Sequence, residues 1–173
     1  VAAVRTTVMM RTGVDDEAVM SQLPPKTRSM VRRAVNADVT VRYTMSPTIE
    51  ELWDFCLLYA DTMSRRNAEE FYLFSTDTIR EMFRRMPGSI ALFAASTPSE
   101  GVVSSAIILR GDRAIHYHLA GSNLQRMPPG TNNLLLMKAA VWGYSVGVSA
   151  FHLGGGNSEG DGLFRFKASM SPE

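Results

Sequence analysis

Apolar residues recur along this chain with two different periods, and the change from one to the other organises it. Ile49, Leu52, Trp53, Cys56, Leu57, Ala60 and Met63 fall at helical spacing and predict a helix that buries this stripe. Its start is marked by Pro47 near the first turn or by a Thr48/Glu51 capping box. Ser75 caps a second expected helix, with Ile79, Met82, Phe83 and Met86 on one face and Arg80, Arg84 and Arg85 among the outward positions, and Pro87-Gly88 ends it. Beyond Gly88 the period falls from 3.6 to 2, which predicts three antiparallel strands over residues 90–96, 102–110 and 113–120. Residues 131–146 are apolar on nearly all sides and predict a buried helix, ended by Gly147 and followed by a strand over residues 148–153. Strand, buried helix and strand make a βαβ unit, which favours parallel pairing and sets the helix N-terminus at the carboxyl edge of the sheet.

The first 45 residues read differently. Residues 1–10 form an expected strand, and Asp15, Asp16 and Glu17 suit the first turn of a short helix stopped by Leu23-Pro24-Pro25. A helical piece over residues 26–34 carries Lys26, Arg28, Arg32 and Arg33, and residues 39–43 alternate as a short strand. The expected organisation is therefore an N-terminal strand with basic connecting helices over 1–45, followed by an α/β domain over 46–173.

Composition narrows the function more than the fold. With 45% hydrophobic and 20% charged residues the chain is of ordinary globular composition, and a net charge of +1 excludes a broad electropositive surface. A phosphate or nucleic-acid partner must then be held by local clusters. No apolar run reaches the length of a membrane span, no secretory leader opens the chain, and a single cysteine rules out an internal disulfide, so the expected location is cytoplasmic. Cys56 lies in the apolar stripe of its helix and reads as a small core hydrophobe, not a nucleophile.

The chemistry concentrates in residues 151–167. An apolar strand runs into a loop with five glycines in the nine residues 154–162, then into Leu163-Phe164-Arg165-Phe166-Lys167. Taken as extended, the last segment sets Phe164 and Phe166 on one face and Arg165 and Lys167 side by side on the other. Glycine lets backbone approach a ligand closely and lets successive N–H groups form an anion-binding concavity. Loop and cations together read as a site for phosphate, carboxylate or a developing oxyanion.

His152-Leu153-Gly154-Gly155-Gly156, followed by Asp161-Gly162-Leu163-Phe164-Arg165-Phe166-Lys167, resembles the closing motif of the FemABX-like acyltransferases, a branch of the GNAT superfamily. That resemblance implies a mixed, mostly antiparallel sheet flanked by helices, and transfer of aminoacyl or acyl groups to amines such as those of cell-wall precursors. The Leu-Pro-x-Lys-x-Arg run that begins at Leu23 is similar to the segment joining the two halves of such proteins. The chain is thus expected to be the connecting region plus the second half, with the first half missing. By the same resemblance Lys167 lies nearest the transfer. Gly154, Gly155, Gly156, Arg165 and Phe166 hold the donor with Arg126, Gly130 and Thr131, and Arg65, Arg66, Tyr72, His116, Tyr117 and His118 hold the acceptor.

Donor identity turns on residues 125–131. GNAT relatives cradle the coenzyme A pyrophosphate in a glycine loop running into a helix N-terminus. Here the loop reads Gln125-Arg126-Met127-Pro128-Pro129-Gly130-Thr131, and two prolines remove two N–H donors. The departure leans toward an aminoacyl-tRNA donor, acyl-CoA remaining the alternative, with no tightly bound cofactor; a catalytically silent binding domain is a third reading. No carboxylate stands out as general base, Asp161 being the nearest. His116, His118 and His152 make a rival zinc site and Asn157, Glu159 and Asp161 a rival calcium loop, but no motif fixes the first and the second lacks its bidentate Glu. No metal is expected.

Overall fold

The computed structural model describes residues 6–66, 74–156 and 161–171. In chain order the elements are β1 (Val8–Arg11), α1 (Asp16–Gln22), α2 (Pro25–Asn36), β2 (Thr40–Thr44), α3 (Ile49–Arg65), α4 (Thr76–Arg85), β3 (Ile90–Thr97), β4 (Gly101–Arg110), β5 (Ala114–Ser122), α5 (Thr131–Ser145), β6 (Ala150–Gly154) and α6 (Gly162–Ala168). The six strands form one sheet in the order β1-β6-β5-β4-β3-β2. Every neighbouring pair is antiparallel except β5 and β6, whose parallel pairing follows from the buried crossover helix α5. The expected mixed, mostly antiparallel α/β sheet is what the chain forms. Both edge strands come from the first 45 residues.

Helices cover the two faces of the sheet in separate cores. On one face α1, α2 and α5 bury Val19, Val31, Ala34, Leu135 and Leu136 against Phe93, Ile108, Ile115 and Phe151. On the other, α3 and α4 bury Leu52, Phe55, Tyr59, Ile79 and Phe83 against Ile90, Leu92 and Ile107. Helix α5 is buried on nearly every side, and Trp142 meets Phe93 edge-on with ring centroids 5.7 Å apart.

Two expectations about facing are corrected. In α3 the capping box of Thr48 and Glu51 forms as expected, but the buried row is Leu52, Phe55, Tyr59 and Thr62. Trp53 and Leu57, expected inside, are 54% and 71% exposed. Periodicity located the helix; its rotation was set by the stacked rings of Phe55 and Tyr59 and by Gly121 of β5, against which the α3 backbone rests. A Cβ at Gly121 would lie 2.3 Å from Leu58 C and Tyr59 N.

The second correction falls on the aromatic and cationic segment. Residues 163–167 are not extended: they lie in α6, whose N-cap Asp161 accepts the Phe164 N–H at 2.7 Å. No β-branched residue in 162–168 opposes a helix, and five residues are too few for alternation to exclude one. Residues two apart lie about 200° apart around a helix, so Arg165 and Lys167 do not stand side by side. Lys167 is buried and Arg165 is exposed.

Candidate active site

The site grows from the one parallel pair in the sheet. Strands β5 and β6 are in register only at Ala114↔Ala150, Ile115↔Phe151 and His116↔His152, although β5 runs on to Ser122 and β6 to Gly154. Beyond the histidines the two strands diverge. A bulge in β5 follows directly on the last paired residue: Ile108 pairs with Tyr117 and Ile107 with Leu119 across to β4, which leaves His118 as the extra residue.

Three elements converge at the tip of β6. Gly154 has φ +76°, a conformation that turns the chain out of the strand and that glycine adopts without strain. Lys167 reaches back from α6 and donates from Nζ to the Gly155 carbonyl at 2.7 Å, and a Cβ at Gly154 would sit 3.4 Å from that amine. From β5, the Tyr117 ring lies 5.7 Å from the same Nζ. Burial, with the Arg66 guanidinium adding to it and Asp161 opposing it, lowers the Lys167 pKa. Burial pushes the Tyr117 phenol up to about 12, against the pull of Arg66. Lys167, Tyr117, Gly154, Gly155 and Arg66 are thus brought into one electrostatic neighbourhood, and Gly156 follows next in the chain.

The histidines divide between pair and bulge. His116 and His152 are register partners with ring centroids 5.4 Å apart. Burial lowers the pKa of His152, helped by His116 and Lys167, and burial lowers that of His118. Among the described residues no group of three or more His, Cys, Asp or Glu is arranged to hold a metal ion.

Other candidates sit elsewhere. Arg65 is tied to the Ser122 carbonyl, to Thr62 Oγ1 at 3.0 Å and to Asp61 at 3.1 Å, so it fastens α3 to the end of β5. Arg126 is exposed and pairs with Glu100 at 3.4 Å. Phe166 packs against the core, and Arg165 faces solvent. Gly130, at φ +88°, and the buried Thr131 open α5, but a Cβ at Gly130 would stand 1.9 Å from the Met30 carbonyl oxygen, so close packing on α2 already requires glycine there. Tyr72 lies outside the described residues. Cys56 is partly buried and its thiol pKa is raised by burial, with a hydrogen bond to Thr76 opposing, in keeping with an inert thiol.

The loop before α5 spends its amides on itself. Asn123 Oδ1 accepts from the Gln125 and Arg126 N–H groups, Asn123 O from Met127, and Pro128 O from Thr131. At the α5 N-terminus Asn132 Oδ1 accepts from Ser104 Oγ at 2.6 Å, and Ser104 lies 2.9 Å from Ser122 Oγ. This polar knot was missed in the sequence, where serines on alternating strands carry no signal.

A sheet splayed between two parallel strands, with a helix N-terminus beyond one and a buried lysine beyond the other, defines a domain of GNAT fold. The model of the GNAT acetyltransferase domain family matches residues 25–168, and the chain belongs to that family. The crystal structure of FemX superposes with a TM-score of 0.80 at 14% identity, over 96% of this chain and 59% of FemX. The C-terminal domain of a putative lysylphosphatidylglycerol synthetase from Agrobacterium fabrum gives 0.65 at 16% identity, over 96% of this chain and 56% of that one. An aminoglycoside acetyltransferase from an uncultured soil metagenomic sample gives 0.63 at 9% identity, over 80% and 90%. The chain therefore corresponds to little more than half of the first two. No curated protein matches it by sequence. Among the described residues no helix is long and apolar enough to cross a membrane.

Proposed function

We propose that the domain moves an aminoacyl or acyl group onto the amine of a cell-wall precursor or similar acceptor, with the acceptor end of an aminoacyl-tRNA as donor. The observation that carries this reading is the buried Lys167 amine held at the tip of β6 by Gly155. A cation fixed there suits the negative charge that builds on an acyl oxygen as an amine attacks, or on a donor phosphate. Gly154, Gly155 and Gly156 let the donor backbone approach, Phe166 shapes the channel from behind, and Arg165 and Arg126 meet donor phosphates from the surface. Arg66, His116, Tyr117 and His118 form the acceptor side. The likeness to FemX favours the cell-wall acceptor. An aminoacyl-tRNA donor fits a cytoplasmic site and needs no tightly bound cofactor.

The loop before α5 favours tRNA over coenzyme A. Two prolines lack N–H groups, and four other amides of residues 125–131 bond within the loop, which leaves a poor cradle for a pyrophosphate. The family's acetyltransferase name favours the alternative, an acyl-CoA donor. Titrating the full-length protein with coenzyme A separates the two: saturable micromolar binding would exclude the tRNA reading. Replacing Lys167 by Ala then separates an enzyme from a silent binding domain, since transfer must fall in the intact protein if the lysine acts on the reaction.

A further inference from the structure

We propose that His152 is the general base of the transfer, taking the proton from the acceptor amine, with His116 carrying that proton on to solvent. This inference rests on the transferase reading and supplies the base that no carboxylate provides. Asp161 is engaged as the α6 N-cap, where its Oδ1 accepts the Phe164 N–H.

Position is the first argument. His152 lies two residues before Gly154 in β6, and strand alternation sets both on one face, about 7 Å apart along the strand. Lys167 Nζ is within van der Waals reach of that glycine's Cβ direction. A carbonyl beside the lysine and an amine beside the imidazole are then near neighbours at the mouth of the divergence between β5 and β6. Connection is the second argument. His116 is the register partner of His152, its ring centroid lies 5.4 Å away, and it is exposed where His152 is partly buried. Proton acceptor and proton exit are adjacent.

The charges around His152 keep it available as a base. His116 faces it from β5 and Lys167 from α6; on β1 its register partner is Met9, with Arg11 on the same face two residues on. Both groups that act on it disfavour the imidazolium, as does its burial. At neutral pH the imidazole is free to accept a proton. As the amine nitrogen forms the C–N bond to the acyl carbon, His152 takes one N–H proton and passes it through His116 to solvent, which leaves the imidazole neutral again. The C–O bond to the donor breaks with its electron pair, the released oxygen takes a proton from solvent, and the donor leaves as a free hydroxyl.

The test is the pH profile of kcat/KM for the full-length protein with an aminoacyl ester donor. Wild type is expected to show an acid limb with its midpoint below the ordinary imidazole value of about 6.5. His152→Gln should lose about a hundredfold or more at neutral pH, lose that limb, and regain rate with added imidazole. A variant that keeps the wild-type limb overturns the proposal. Should that variant fail to fold, NMR titration of His152 in wild type and in His116→Gln decides instead: a midpoint below about 6.5 that rises on removal of His116 is expected, and one above it overturns the proposal. A wild type that transfers no acyl group from any donor while His152 titrates as expected removes the proposed function itself, and the base assignment with it.

Discussion

Lys167 and Gly155 are joined by a 2.7 Å hydrogen bond from the lysine amine to the glycine carbonyl, which pins the last helix to the tip of β6. That bond gives the lysine a structural role beside the chemical one proposed for it, and one substitution reads both. Lys167→Met keeps the buried stem and removes the amine; loss of a charged hydrogen bond should cost about 1.5–3 kcal/mol of stability, read by denaturant melts. Turnover should fall by about a hundredfold to a thousandfold if the cation stabilises developing charge. Unchanged initial rates in a folded Lys167→Met protein would sink the assignment.

Asp161 sets the position of that lysine twice over, by capping α6 and by its charge. Asn caps as well as Asp, so Asp161→Asn should leave stability within about 0.5 kcal/mol while Asp161→Ala loses about 1 kcal/mol. Asp161 raises the Lys167 pKa, so both substitutions should lower it further. Side-chain NMR of Lys167 reads the shift directly, and a rise in either variant contradicts it.

Most of this fold was legible because its elements repeat their pattern for long enough. The meander of β3, β4 and β5 and the buried α5 follow from alternation and from apolar content on every side. Short or two-sided patterns left choices to tertiary structure. Helix α3 carries two adjacent apolar rows, and only contact with Gly121 and the second core selects between them. Residues 163–167 satisfy a period of two by coincidence, and the Asp161 cap decides for a helix. In the site, glycine tip and lysine were readable as a motif, and their meeting was expected. The His118 bulge, the His116–His152 pairing and the turning away of Arg165 depend on register and helix rotation, which no local pattern encodes.

Gly130 and Gly147 bracket α5 with nearly the same backbone, φ +88° and +84°, but in different surroundings. Alanine at Gly147 meets nothing within 4 Å and should lose only the left-handed penalty of about 1–2 kcal/mol. Alanine at Gly130 adds a clash with the Met30 carbonyl oxygen and should lose about 1–3 kcal/mol more as α2 is displaced. Equal melting midpoints for the two variants would refute the close packing of loop on α2.

Acid should destabilise the fold through its histidines. His118 and His152 have folded pKa values below the ordinary 6.5, both chiefly by burial. Below about 6.5 the unfolded chain binds protons that the folded chain excludes, so stability falls as pH drops through that value and levels off beneath the folded pKa values. Replacing both residues by Gln should flatten this slope in chemical denaturation series between about pH 7 and 5. An unchanged slope would show that the histidines do not carry it.

Adjacent arginines at the end of α3 should behave oppositely. Arg65 is spent on Ser122 and Thr62 of the structure, whereas Arg66 acts on Tyr117 and Lys167. Arg65→Ala should lower the melting midpoint and leave KM for the acceptor near wild type. Arg66→Ala should leave the midpoint near wild type, since the residue is exposed, and raise KM about tenfold if the guanidinium holds an anionic acceptor group. It should also raise both neighbouring pKa values: Arg66 disfavours the lysine ammonium and favours the tyrosinate, so its removal strengthens one and weakens the other. Steady-state kinetics with NMR titration of Lys167 measures both effects in one variant, and a KM change confined to Arg65→Ala would reverse the roles given to the two residues.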